Sequence, residues 1–273
     1  MKTQELLVVS FGAGVDSTAM LVEMKNRRIR PDLILFADTG AEKPETYQHL
    51  ETMNGWLRSV GFPEVTVVRY VPPIAPYKDL EGNCLANETL PSLAFGMKSC
   101  SLKWKVKPQH KYLDQWGPAL ELWAEGKKVR RALGYDNGCA DRKRSKKVTV
   151  AVGLDNGCAD KKRSKTYAGN GQESEKYDYW YPLQDWDVDR EGCVQIIEAE
   201  GIPVPPKSSC FFCPAMKKEE ILELRDKHPD LLKRAIDLEN NARFGKHGLK
   251  STKGLGRRFA WADFLNMTPR KEE

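Results

Sequence analysis

Apolar and polar positions alternate along this chain in two distinct rhythms. Leu6-Leu7-Val8-Val9-Ser10-Phe11, Asp32-Leu33-Ile34-Leu35-Phe36-Ala37 and Val65-Thr66-Val67-Val68-Arg69-Tyr70 are short, nearly continuous apolar or β-branched runs, the pattern of strands buried on both faces. Between them lie amphipathic stretches. One covers Ala19 to Lys25, and another opens at Pro44-Glu45-Thr46-Tyr47, with proline where a first helical turn tolerates it. Val148 to Gly153 reads as a further strand. The alternation predicts an α/β fold, an open, mostly parallel, doubly wound sheet of Rossmann-like type with helices on both faces. From about Lys217 the chain turns helical and highly charged, with Ile221, Leu222, Leu224, Leu231 and Leu232 as its inward face. This predicts an α/β domain over 1–205 and, over 206–273, a segment and helical cap packed on it.

The junction after the first strand carries the first chemistry. Ser10-Phe11 leads into Gly12-Ala13-Gly14-Val15-Asp16-Ser17-Thr18 at the start of a helix. Backbone N–H groups and the hydroxyls of Ser17 and Thr18 then face the positive helix end, where a phosphate can be held. The lysine of a Walker loop is missing. Asp16 is either a helix N-cap or a group near a nucleotide or magnesium. The second strand ends in Asp38-Thr39-Gly40, at the sheet edge where open α/β folds bind ligands.

Composition adds bounds. With 40% hydrophobic residues over 273 positions, the chain can bury a substantial core. The start Met1-Lys2-Thr3-Gln4-Glu5 does not read as a signal peptide and no run reaches membrane-spanning length, so a cytoplasmic protein without a membrane partner is expected. Seven cysteines in that setting point to reduced thiols or metal ligation, not a disulfide framework. A near-duplicate segment lies over 132–166: Ala132 to Lys146 recurs as Ala151 to Lys165. Each copy ends in a basic cluster, Arg142-Lys143-Arg144 and Lys161-Lys162-Arg163, either a solvated loop or a contact to phosphate groups.

Ser10-x-Gly12-x-Gly14-Val15-Asp16-Ser17, followed by Asp38-Thr39-Gly40 and Pro44-Glu45-Thr46-Tyr47, resembles the phosphoadenosine phosphosulfate (PAPS) reductase-like branch of the PP-loop ATP pyrophosphatases. Their usual loop reads Ser-Gly-Gly-x-Asp-Ser; here the leading serine is lost and Ser10 lies just upstream. The resemblance implies an adenine nucleotide, ATP or else PAPS or adenylylsulfate, bound with magnesium by Ser10, Phe11, Gly12, Ala13, Gly14, Asp16, Ser17, Thr18, Asp38, Thr39 and Gly40. It also implies a strand ending in hydrophobic-Gly-hydrophobic, followed by acidic and basic residues facing the ligand. Of the two copies the second makes the better strand, which assigns Gly153, Asp155 and Arg163 to that role.

Sulfur is the strongest chemical signal. Cys210-Phe211-Phe212-Cys213-Pro214 is a tight turn presenting two thiols, but two thiols do not hold zinc or an iron–sulfur cluster. Cys100-Ser101-Leu102-Lys103-Trp104-Lys105-Val106-Lys107-Pro108 resembles the Cys-Cys-x-x-Arg-Lys-Val-x-Pro element of assimilatory adenylylsulfate reductases, with Ser101 in place of the second cysteine. In those enzymes the paired cysteines and a later CxxC bind a 4Fe-4S cluster. The resemblance thus implies ligation by Cys100, Cys210 and Cys213, with Lys105 beside the cluster. Zinc is the alternative metal. The fourth position is open or filled by Cys193, or by Cys84; a small buried residue is the competing role of Cys193.

Sulfonucleotide reductases attack sulfur with a cysteine in a C-terminal tail, and no cysteine follows Cys213 here. The leading expectation is therefore ATP-dependent adenylation and sulfur transfer to a nucleic acid or nucleotide, with Asp16, Asp38 and Lys105 as catalytic groups and a sulfur donor such as a cysteine desulfurase as partner. PAPS or adenylylsulfate reduction ranks second. A non-catalytic nucleotide-binding subunit is the third reading.

Overall fold

The computed structural model describes residues 5–74, 76–97, 99–139, 141–143 and 175–266. Its centre is a sheet in the order β3-β2-β1-β4-β5, formed by β1 (Leu7–Ser10), β2 (Leu33–Asp38), β3 (Val65–Arg69), β4 (Val129–Leu133) and β5 (Tyr177–Trp180). The pairs β1–β2, β1–β4 and β4–β5 are parallel, with Val9 opposite both Ile34 and Ala132. Every residue of β2 is buried, as a strand covered on both faces requires. The mostly parallel, doubly wound α/β fold expected from the hydrophobic rhythm is the fold observed.

The three N-terminal strands fall within a residue or two of the runs that predict them. The fourth does not. Val148 to Val152, with Gly153, Asp155 and Arg163, lies outside the described residues. The strand that pairs with β1 is Val129–Leu133, which runs into the first copy of the duplicated segment. Its sequence, Val-Arg-Arg-Ala-Leu, hides its strand character behind two arginines. Arg131 is nonetheless buried, with Nη2 donating to Ser10 Oγ at 2.7 Å.

The chain folds into two compact units. The first comprises 1–36, 45–67 and 110–208. Its core gathers Val9, Phe11, Met20, Met24, Ile34, Phe36, Met53 and Leu57 around α1 (Val15–Asn26), α2 (Pro44–Ser59) and α8 (Arg190–Ala199); α1 and α8 pack together. Eight residues of α1, among them Ser17 and Thr18, are buried, so this helix is a core element and not a surface stripe.

The second unit is drawn from 37–44, 68–109 and 209–273. It contains α3 (Leu80–Ala86), α4 (Ser99–Ser101), α9 (Lys218–Lys227), α10 (Pro229–Phe244) and α11 (Trp261–Phe264). Its apolar core joins Leu80, Leu90 and Trp104 to Phe211, Phe212, Ile221, Leu232, Leu238 and Trp261. The C-terminal segment therefore shares a core with residues far upstream. A π-helical turn, Leu102–Val106, follows α4 and leads into α5 (Lys107–Leu113). The remaining short helices are α6 (Gly117–Ala124) and α7 (Pro182–Asp185).

Candidate functional site

In the first unit, the candidate site lies where strand order reverses. β1 is flanked by β2 on one side and β4 on the other, and in open α/β sheets ligands bind outside the carboxyl ends of strands at such a switch point. Beyond β1, Ala13 takes a left-handed φ of 54°, and the turn gathers its backbone donors onto one point. The N–H groups of Gly12 and Gly14 donate to Ser17 Oγ at 3.2 and 3.3 Å, and that hydroxyl donates to the Gly14 carbonyl at 3.1 Å. Convergent N–H groups at a helix N-terminus are a concave anion-binding element.

Beyond β4, Gly134 backs directly onto this turn. A Cβ there would lie 2.8 Å from both the N and the Cα of Ser17. Glycine at this position lets the two strand-end loops meet. They bring Asp16, Asp136 and Asp141 together: one carboxylate oxygen from each lies within 4.8 Å of the others, the one such group of three or more possible ligands among the described residues. Asp16 also pairs with Arg190 Nη1 at 2.5 Å. Burial raises the Asp16 pKa, Arg190 pulls it back, and Asp136 and Asp141 add to the rise. Asp16 is not the N-cap of α1, a place held by Gly14.

Of the other residues expected around the loop, Ser10 accepts from Arg131. Phe11 is buried in the core, with its N–H bonded to the Leu35 carbonyl at 2.8 Å. Thr18 is fully buried, and its hydroxyl lies 2.9 Å from His49 Nε2. Burial lowers the His49 pKa to about 4. Cys193 is enclosed in the first unit's core with Leu183 and Ile197, and burial pushes its thiol up to about 12.

In the second unit, Asp38-Thr39-Gly40 closes a tight structure of its own. Asp38 accepts from Arg69 at 2.5 and 2.9 Å and from the Gly40 N–H at 2.7 Å. Gly40 has a φ of +73° and a Cβ on it would strike Asp79, so glycine is required. Thr39 faces sulfur: its Oγ1 lies 3.2 Å from Cys210 Sγ and 3.2 Å from Glu42 Oε1.

The thiols border one apolar cluster. Cys210 is a buried member of the second core, with Cys100 and Cys213 packed against it. The turn between Cys210 and Cys213 is closed by the Cys213 N–H on the Cys210 carbonyl at 3.0 Å, and the Cys100 N–H donates to Ser92 Oγ at 2.7 Å. Lys105, in the π-turn, reaches Glu42 Oε1 at 2.9 Å. Its pKa is raised by Glu42, Cys210 and Cys213 against the opposing cost of burial. Burial carries Cys210 well above the usual thiol range, and holds Cys84 at about 12.

Soft thiol sulfurs are donors for zinc and for iron–sulfur clusters alike. Among the described residues, Cys100, Cys210 and Cys213 are not gathered within 4.8 Å of one another. Cys210 and the Lys105 cation border the same apolar cluster, and a metal would bind the sulfurs as thiolates. Sequence patterns did not single out Glu42, His49, Gly134, Asp136, Asp141 or Arg190. The one available signal was the first copy, since Gly134 and Asp136 are the counterparts of Gly153 and Asp155.

No protein-family model matches the chain, and no curated protein matches it. Among solved structures the chain is similar to the U34-tRNA thiolase NcsA from Methanococcus maripaludis with its 4Fe-4S cluster. That similarity has 14% identity and a TM-score of 0.46, and it covers 89% of this chain and 72% of that one. No helix among the described residues is long and apolar enough to cross a membrane.

Proposed function

We propose that this protein is a PP-loop enzyme of the PAPS reductase-like kind that adenylates an acceptor with ATP and replaces the activated oxygen by sulfur, the acceptor being a nucleic acid or nucleotide. The observation that carries the reading is the convergence of the Gly12 and Gly14 N–H groups at the start of α1, at the reversal of strand order. Nothing in that turn supplies a lysine, so the phosphates would be held by backbone dipoles, Ser17 and a cation.

The reaction begins with an acceptor oxygen attacking the α-phosphorus. The new O–P bond forms as the bond to pyrophosphate breaks, and pyrophosphate leaves with that electron pair. Asp16, Asp136 and Asp141 would hold magnesium, whose hard charge favours carboxylate oxygens and offsets negative charge on the phosphates. Arg190 holds the Asp16 carboxylate in place. A sulfur nucleophile then displaces AMP from the adenylated carbon, so that a C–S bond replaces C–O. A cluster bound by Cys100, Cys210 and Cys213 would supply thiophilic iron for sulfur handling, and Lys105 would balance its negative charge.

Three measurements test the reading. ATP–pyrophosphate exchange, stimulated by bulk tRNA or another acceptor and reduced at least tenfold in Asp16→Asn, is the expected result. Robust anaerobic release of sulfite from PAPS or adenylylsulfate, without exchange, would instead show a reductase. Nucleotide binding with neither activity would show an accessory subunit.

A further inference from the structure

Glu42 is the group around the thiols whose bonding is least complete. Its Oε1 is shared by Lys105 Nζ at 2.9 Å and Thr39 Oγ1 at 3.2 Å, and lies 3.9 Å from Cys210 Sγ. Its Oε2 is buried and has no hydrogen-bond partner among the described residues. The side chain is wholly enclosed. An anionic oxygen without a partner inside a protein is costly, and groups left that way in native structures call for a cause such as a bound ion.

The backbone fixes this oxygen next to the thiols. Glu42 and Cys210 form an isolated antiparallel bridge, and the adjacent Phe211 N–H bonds the Ala41 carbonyl at 2.9 Å. Residues directly opposite in an antiparallel pair project their side chains to the same face. Carboxylate and thiol therefore leave the bridge side by side. Lys105 and Thr39 orient the carboxylate through one oxygen and leave the other for a metal, the arrangement by which outer partners aim a ligand.

We infer that Glu42 is the fourth protein ligand of the metal centre, binding through Oε2 the iron that Cys100, Cys210 and Cys213 leave uncovered. The inference rests on the cluster reading above and adds a ligand to it. A carboxylate is a hard donor on an iron otherwise surrounded by sulfur, so an incoming sulfide displaces it more readily than it would a cysteine. On release, the carboxylate keeps its ion pair with Lys105. Glu42 would thus close the fourth position at rest and yield it to sulfur.

The test uses full-length protein, purified and reconstituted without oxygen, as wild type, Glu42→Gln, Glu42→Asp and Cys210→Ala. Iron, acid-labile sulfide and Mössbauer spectra are the readouts. Wild type is expected to hold iron and sulfide in equal amounts, with one iron site showing oxygen ligation; Glu42→Asp keeps that site. Glu42→Gln, which preserves shape but not charge, is expected to lose about a quarter of its iron or to lose the oxygen-ligated signature. If all wild-type iron is sulfur-ligated, or if Glu42→Gln matches wild type in iron and spectrum, the ligand assignment is overturned while the thiol centre stands. Wild type with no more iron and sulfide than Cys210→Ala overturns both. The wild-type spectrum decides the matter even if Glu42→Gln does not fold.

Discussion

His49 illustrates how a single buried group carries a pH signature. It sits behind the loop against Thr18, and burial holds its pKa at about 4, below the ordinary 6.5. The folded protein keeps the ring neutral where the unfolded chain would protonate it. This contribution to stability is complete above about pH 6.5 and is lost as pH falls from there towards 4. It amounts to at most about 3 kcal/mol. Denaturant midpoints measured across that window should fall in wild type and fall less in His49→Gln; equal slopes would remove His49 as the cause. Gly134 makes a steric claim of the same kind. Gly134→Ala places a methyl 2.8 Å from the Ser17 backbone. A loss of about 1–3 kcal/mol in chemical unfolding is expected, together with weaker ATP binding by calorimetry, because the turn itself must shift.

Among the elements, the C-terminal connection between α10 and α11 depends on one carboxylate. Glu239 on α10 is fully buried and accepts three backbone N–H groups, from Leu255 and Trp261 through Oε1 and from Ala262 through Oε2, at 2.6 to 2.9 Å. Without it, those donors lose their partners inside the core. Glu239→Ala should therefore destabilise the protein by about 3 kcal/mol or more, and hydrogen exchange at Leu255, Trp261 and Ala262 should rise first. Unchanged protection at those amides would mean that the segment is held by packing alone. The π-turn at Leu102–Val106 is the other element with a specific task. Extra residues in a turn re-aim side chains, and here Trp104 enters the second core while Lys105 reaches Glu42.

At the scale of the molecule, each unit is assembled from separated stretches of chain. Residues 209–273 contribute Phe211, Phe212, Leu232 and Trp261 to a core that also needs Leu80, Leu90, Ala94 and Trp104. Expressed alone, that segment should be unfolded by circular dichroism, since much of its apolar surface would have no cover. A cooperatively folded fragment would contradict this account of the second unit. Metal removal belongs to this scale too. On the proposed cluster, chelation of the reconstituted protein should lower the thermal midpoint of wild type and leave that of Cys210→Ala unchanged, because a bound centre stabilises only the fold that assembles its ligands.

The sheet and the glycine turn were legible in the sequence because both are written locally. β1 and β2 are runs of apolar residues buried on both faces, and the small residues Gly12 to Gly14 stand directly between a strand and a helix start. The role of β4 was not legible, since Val129–Leu133 carries two arginines and Arg131 is accommodated in the interior by residues of other strands, Ser10 and the Tyr177 ring among them. Glu42 and the acidic group at Asp16, Asp136 and Asp141 were hidden for the same reason. Local composition encodes what each segment can become; only the tertiary structure decides which distant charges are brought together, because their partners are supplied by other parts of the chain.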